Sequence, residues 1–214
     1  KYSKDPLFSC ALEGVSNVIA GIRHVSIVIH SPQGCASTVG AGFDQQEVDF
    51  TQRKIGCTRL FETDIVMGAS DKLRDVIFQA EKNFHTELMF VVGTCASDII
   101  GEDIDAVCRE MQPKIKAKLI PLQAGGFRGN CYDGIDMGLE MLLPMIEKSP
   151  IKYTDSVNII APQASANPTW YADLAWVRQI LGKIGLNVQT VFCHETSLQE
   201  IKQAGRASAN ILLS

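Results

Sequence analysis

The chain has 214 residues, 20 basic and 24 acidic, with a formal net charge of −4; 46% of its residues are apolar. That apolar share excludes an intrinsically disordered chain, and 17 glycines with 8 prolines exclude collagen-like or low-complexity character. The acidic balance gives no electrostatic reason to bind nucleic acid or an anionic membrane, and no apolar run reaches the roughly 18 residues of a membrane span.

Taken in order, Leu12, Val15, Ile19 and Ile22 set a helical stripe before the β-branched run Val25–His30. Asp64–Met67 reads as a second strand. Leu73, Val76, Ile77, Ala80 and Phe84 then follow helical spacing, with Ser70 placed as the cap. The strand Leu88–Gly93 precedes a helix on Ile100, Ile104, Val107 and Met111 that Pro113 stops. Lys118–Leu122 is the next strand, and Ile135, Leu139, Leu142 and Ile146 make a helix behind Asp133. After the strand Val157–Ala161, Asn167-Pro168 reads as cap and first turn for Leu174, Val177, Leu181 and Ile184, with Gly185 past the end. The strand Asn187–Phe192, a capping box on Ser197 and Glu200, a stop at Gly205 and the run Asn210–Leu213 complete the pattern.

Strands alternating with helices, and strands that are apolar almost throughout, predict an α/β fold of Rossmann-like parallel sheets flanked by helices. The polar stretch Glu147–Asp155, which contains Pro150, is the expected boundary. It separates an N-terminal α/β domain at 1–150 from a partial second Rossmann-like unit at 151–214. The missing initiator Met and the closing run Ile211-Leu212-Leu213 lead to the expectation of a piece cut from a longer chain.

Seven cysteines stand out in the composition: Cys10, Cys35, Cys57, Cys95, Cys108, Cys131 and Cys193. Without a secretory signal, and in a chain of this length, cytosolic thiols are a better reading than a disulfide scaffold. A cytoplasmic protein is therefore expected. No CxxC pair occurs, so the compact zinc signatures are absent. Cys10 opens the first helical stripe. Cys35 follows a strand through Ser31-Pro32-Gln33-Gly34, and Cys95 follows a strand and precedes a helix. Loops after parallel strands converge on one rim, and exposed helix N–H groups favour a thiolate there. Three thiolates can therefore meet without local spacing. On spacing alone, however, a Cys beside a turn reads more readily as a buried small residue than as a ligand.

Five ordered motifs carry more. They are Phe8-Ser9-Cys10-Ala11-Leu12-Glu13-Gly14, His30-Ser31-Pro32-Gln33-Gly34-Cys35, Phe61 to Leu73, Gly93 to Ile104, and Gly126-Phe127-Arg128-Gly129. Together they resemble the nitrogenase component 1 family, and the resemblance runs over essentially the whole chain. It implies that Cys10, Cys35 and Cys95 hold a [4Fe–4S]-type iron–sulfur cluster shared with a sister subunit, or with a second copy of this chain in a self-dimer. It also implies electrons delivered by an ATP-dependent iron protein. An isolated chain is expected to stay without its cluster, or to dimerise through the cysteine rim.

Two departures bear on the activity. Ser214 falls where the dinitrogen-reducing α subunit has a cofactor-binding Cys, and Asn130 to Met137 lacks that subunit's substrate-handling His. What remains is a nitrogenase-like oxidoreductase subunit. The alternatives are a non-catalytic scaffold for assembling a nitrogenase-type metal cofactor and a plain ligand-binding module whose cysteines are core.

The other candidates have bland alternatives. Cys57 is a spare ligand or a bystander, Cys108 is core, and Cys131 is a cavity liner or a turn filler. Cys193 and His194 are adjacent on a strand and point to opposite faces. His24 and His30 read as satisfied sheet residues, and Arg128 as an anion contact or a salt bridge. Gly40-Ala41-Gly42 lacks the third glycine of a dinucleotide loop, and no Walker A motif is present.

Overall fold

The computed structural model describes residues 9–45, 54–161 and 169–213. In chain order the elements are α1 (Ala11–Ala20), β1 (Val25–His30), α2 (Gln33–Gln45), β2 (Lys54–Cys57), α3 (Glu62–Met67), α4 (Ser70–Phe84) and β3 (Leu88–Gly93). They continue with α5 (Cys95–Ile99), α6 (Ile104–Met111), β4 (Lys118–Gln123), α7 (Cys131–Glu140), β5 (Tyr153–Ile160), α8 (Trp170–Lys183), β6 (Asn187–Phe192), α9 (Leu198–Gln203) and β7 (Ala207–Leu212).

The strands form two all-parallel sheets, one ordered β2-β1-β3-β4 and the other β6-β5-β7. This is the α/β architecture that the alternation of patterns predicts. Every residue of β1 and β3 is buried, as central strands covered on both faces require. Alternate side chains serve opposite faces. Ile27, Ile29, Phe90 and Val92 pack with Val15, Ile19 and Phe43 of α1 and α2, whereas Val28, Met89 and Val91 pack with Leu73, Ile77, Val107 and Cys108 of α4 and α6. The first of these clusters continues through Leu142 to Phe192, Leu198 and Ile201, so apolar packing runs from one sheet to the other.

Three local expectations change. Asp64–Met67 lies in the helix α3, not in a strand. The Asp64 carboxylate accepts the Phe61 N–H at 2.7 Å and pairs with Lys72 Nζ at 2.7 Å, which holds the first turn. The edge strand is instead Lys54–Cys57, paired to β1 through Ile29 opposite Cys57. Ser70 is the first residue of α4 and Ala69 its cap, because the Ser70 hydroxyl is taken by Glu102. The helix behind Asp133 stops at Glu140, and Pro144 sits in a separate short turn at Leu143–Met145. Asn167-Pro168 lies outside the described residues, and α8 starts after Thr169. Gly40-Ala41-Gly42 lies inside α2, in no phosphate loop.

The close packing of α1 on α7 is made by glycine. A Cβ on Gly14 would stand 2.0 Å from the Cys131 carbonyl oxygen, and one on Gly134 would stand 2.1 Å from the Ala11 carbonyl oxygen. Gly138 likewise has no room beside Val18. The backbones therefore touch where side chains normally intervene.

Candidate functional site

With the order β2-β1-β3-β4, the chain leaves β1 toward one side and β3 toward the other. Their adjacent C-terminal ends form the switch point where α/β sheets bind ligands. Thr94 Oγ1 donates to the His30 carbonyl at 3.0 Å and ties the two strand ends together.

Each of the three predicted cysteines stands at a helix start on this rim. Cys35 is in the first turn of α2, with its N–H donated to the Pro32 carbonyl at 3.3 Å. Cys95 is the first residue of α5. Thr94 caps that helix with an extended backbone, and its N–H is held by Ser97 Oγ at 2.8 Å. Cys10 is the cap residue of α1 and forms an antiparallel bridge with Asn130. The bridge is continued by Ala11 N–H to the Gly129 carbonyl at 3.1 Å and Cys131 N–H to the Ser9 carbonyl at 3.0 Å.

The loop between β4 and α7 closes the group. A Cβ on Gly125 would stand 2.5 Å from the Cys95 backbone nitrogen, so only glycine lets the loop pass. Gly126 donates its N–H to the Cys95 sulfur at 2.9 Å and faces Cys95 Sγ and Cys10 Cβ. Cys10, Cys35, Cys57 and Cys95 are all partly exposed free thiols. Burial, and then the nearby Cys10, Cys95 and Cys57 thiolates, push the Cys35 thiol up from its ordinary value. The helix N-terminus leads to the opposite expectation, and here desolvation and like charge outweigh it. Among the described residues, no three His, Cys, Asp or Glu side chains stand close enough to share one metal ion.

Behind the rim lies a buried polar pair that the sequence pattern does not reveal. His30 Nε2 is 3.8 Å from Glu102 Oε2, and both side chains are almost fully buried. Glu102 also accepts the Ala69 N–H at 3.1 Å and the Ser70 hydroxyl, so it anchors the start of α4. His30 Nδ1 lies 3.2 Å from Thr58 Oγ1. Burial holds the His30 pKa below its usual value, against the pull of Glu102.

The remaining candidates resolve into structural positions. Cys108 and Cys193 are buried, and desolvation pushes each thiol up to about 12. Cys131 is buried as the first residue of α7. Arg128 makes the salt bridge, with Asp98 at 3.4 Å. His194 packs edge-on against Trp170, with ring centroids 4.4 Å apart. Phe61, Val66, Met67, Ile99 and Phe127 are exposed on the segments that flank the cysteine loops.

Residues 10–214 match the family model described as nitrogenase component 1 type oxidoreductase. The chain belongs to this family. Among nitrogenase component 1 relatives, it is 28% identical over 214 residues to the nitrogenase iron-molybdenum cofactor biosynthesis protein NifE of Nostoc sp., covering 95% of this chain and 42% of that one. It is 31% identical over 216 residues to the nitrogenase molybdenum-iron protein alpha chain of Methanosarcina barkeri, covering 95% and 39%. The solved structure of nitrogenase Cp1 at pH 5 matches with a TM-score of 0.78 at 22% identity, over 99% of this chain and 44% of that one. At that identity the structural match is one of fold. The chain spans less than half the length of these component 1 relatives. Among the described residues, no helix is long and apolar enough to cross a membrane.

Proposed function

We propose that this chain is a subunit of a cytoplasmic nitrogenase-like oxidoreductase whose Cys10, Cys35 and Cys95 hold an iron–sulfur cluster at the boundary with a sister subunit. One observation carries the reading: three thiols from distant segments gather at the β1/β3 switch point around a loop where Gly126 has no side chain. The donor set fits the group. Soft thiolates suit iron, and a cationic partner offsets both the burial and the like charge that raise the Cys35 pKa.

When bound, such a cluster supplies one-electron transfer, tuned by burial and by hydrogen bonds to the ligand sulfurs. The chain's own residues prepare that setting. Cys10, Cys35 and Cys95 stand at the starts of α1, α2 and α5, and Gly126 donates its N–H directly to Cys95. The apolar residues Phe61, Val66, Met67, Ile99 and Phe127 offer partner proteins a surface beside the site, in keeping with a sister subunit and an ATP-dependent iron protein. In this reading 1–150 is the cluster-bearing unit and 151–214 begins a second Rossmann-like unit.

A second reading, a scaffold on which a nitrogenase-type metal cofactor is assembled, is supported by the NifE relatives. Ser214 and the His-free stretch Asn130 to Met137 support it as well. The test is anaerobic purification of the full protein with its sister subunit. Bound iron and acid-labile sulfide are expected, and Cys35→Ala should remove them. A wild-type complex with no iron overturns the cluster assignment. Substrate reduction with an iron protein and ATP supports the oxidoreductase. Transfer of a finished metal cofactor to an acceptor without turnover supports the scaffold.

A further inference from the structure

The helix α3 buries none of its six residues, and its Val66 and Met67 are 80% and 83% exposed. It hangs between two buried anchors, Ala69 and Leu60, the latter donating its N–H to the Ser31 carbonyl at 2.9 Å. Left-handed residues flank it on both sides, Arg59 with φ 53° and Gly68 with φ 90°. A helix this short has no stability of its own, so polar links hold it in place. Asp64 binds the Phe61 N–H and Lys72, and Lys72 Nζ donates to the Arg59 carbonyl at 2.8 Å. Beyond Gly68, the Glu102 carboxylate accepts the Ala69 N–H and the Ser70 hydroxyl. One oxygen of that carboxylate is contested. Glu102 Oε2 takes the Ala69 N–H at 3.1 Å and also stands 3.8 Å from His30 Nε2. His30 is fully buried, and its Nε2 has no hydrogen-bond partner among the described residues.

We propose that residues 60–68 form a strap latched through Glu102, and that a proton taken up by His30 releases the latch. A neutral ring leaves Glu102 Oε2 to Ala69, whereas an imidazolium must donate from both nitrogens. Closing 3.8 Å to the roughly 2.7–2.9 Å of a charged N–H···O bond draws Oε2 about 1 Å toward the ring. Its hold on Ala69 loosens, and opening of the strap lets water reach the charged ring. The charged groups facing His30 are Glu102 from the loop before α6, Asp64 of α3 and Lys72 of α4. The bonds to Lys72 and to the Phe61 N–H hold the Asp64 carboxyl below its ordinary range, so it stays ionised while His30 titrates. Burial holds the His30 pKa down, so release falls below about pH 6.5. The strap carries Val66 and Met67, and the apolar surface beside the cysteine rim therefore changes with acidity. Neither the latch nor its trigger involves Cys10, Cys35 or Cys95, so the strap stands or falls apart from the cluster.

The experiment is amide hydrogen exchange of the full-length protein from pH 5 to 7.5, corrected for the intrinsic pH dependence of exchange. The amides of Asp64 and Ile65, bonded to the Phe61 carbonyl, and of Ala69, bonded to Glu102, report on the strap. They should exchange several-fold faster at pH 5.5 than at pH 7.5, while the amides of β3 stay slow at both. His30→Asn should keep the slow rate and abolish the acid response. Glu102→Gln, a weaker acceptor, should exchange faster than wild type already at pH 7.5. Ser70→Ala removes one bond of Glu102 without touching the buried ring, and should do the same. It keeps the latch testable where His30→Asn does not fold. Corrected exchange that is flat with pH in the wild type overturns the proposal, as does an acid response that persists in His30→Asn. Slow exchange at pH 7.5 in both Glu102→Gln and Ser70→Ala refutes the latch.

Discussion

The Gly126 amide donates to the Cys95 sulfur across 2.9 Å, and the Cβ that Gly126 lacks would stand 3.3 Å from that same sulfur. The neighbouring Gly125 is crowded differently, because its missing Cβ would meet the Cys95 backbone nitrogen at 2.5 Å. Gly126→Val should therefore leave the fold in place and reduce iron loading several-fold. Gly125→Ala should destabilise the fold itself by about 1–3 kcal/mol. Thermal unfolding, with iron content read on the same samples, separates the two effects. Equal behaviour of the pair would show that the loop does not frame the thiols as described.

The α1–α7 contact gives a second expectation. Gly134→Ala forces a methyl to within 2.1 Å of the Ala11 carbonyl oxygen, so the helices must separate. A loss of about 3 kcal/mol is expected, roughly 6–12 °C in melting temperature for a chain of this size. Gly182, on α8, has open space around its missing Cβ. Gly182→Ala should be neutral or slightly stabilising.

The buried His30 predicts how stability responds to acid. Its folded pKa is lowered mainly by burial, so below about pH 6.5 the unfolded chain binds a proton that the folded chain does not. Stability contributed by neutral His30 is present above that pH and is lost as pH falls through it. Thermal unfolding between pH 5 and 7.5 should show this limb, and His30→Asn should flatten it. Glu102→Gln removes the charge that raises the His30 pKa, and so should steepen the loss.

The thiols set the alkaline limb. Cys35, Cys108 and Cys193 all have raised folded pKa values, the last two at about 12. Above about pH 8.5 the unfolded chain releases thiol protons that the folded chain retains, so metal-free stability should fall as pH rises. At pH 8 the partly exposed rim cysteines should react with iodoacetamide well before Cys108 and Cys193. Rapid reaction of Cys193 in the folded protein would contradict its burial.

Legibility in the sequence followed the range of the forces involved. Hydrophobic period and turn chemistry are local, so β1, β3, β4 and the capping box of Ser197 with Glu200 can be read directly. Asp64–Met67 is β-branched enough to look like a strand. A carboxylate–amide bond at Phe61 and an ion pair with Lys72 make it a helix instead. Lys54–Cys57 has weak strand character and owes its place to the edge of β1. The trio of cysteines is legible through motif order, whereas its setting is not. Gly14 against Gly134, Ser31 against Cys57, and His30 against Glu102 are long-range contacts, and no single window of sequence contains them.

The bridge between Cys10 and Asn130 bears on how the protein is made. Cys10 is the earliest of the three thiols to leave the ribosome, yet its backbone is fixed by strand-like pairing with a segment more than a hundred residues later. Contacts of such separation close late, after the costs of ordering the intervening chain are met. A nascent chain that has emerged only as far as Cys95 carries all three sulfurs but lacks the loop that positions the first. In the proposed reading, metal loading should therefore follow release of the segment through Cys131.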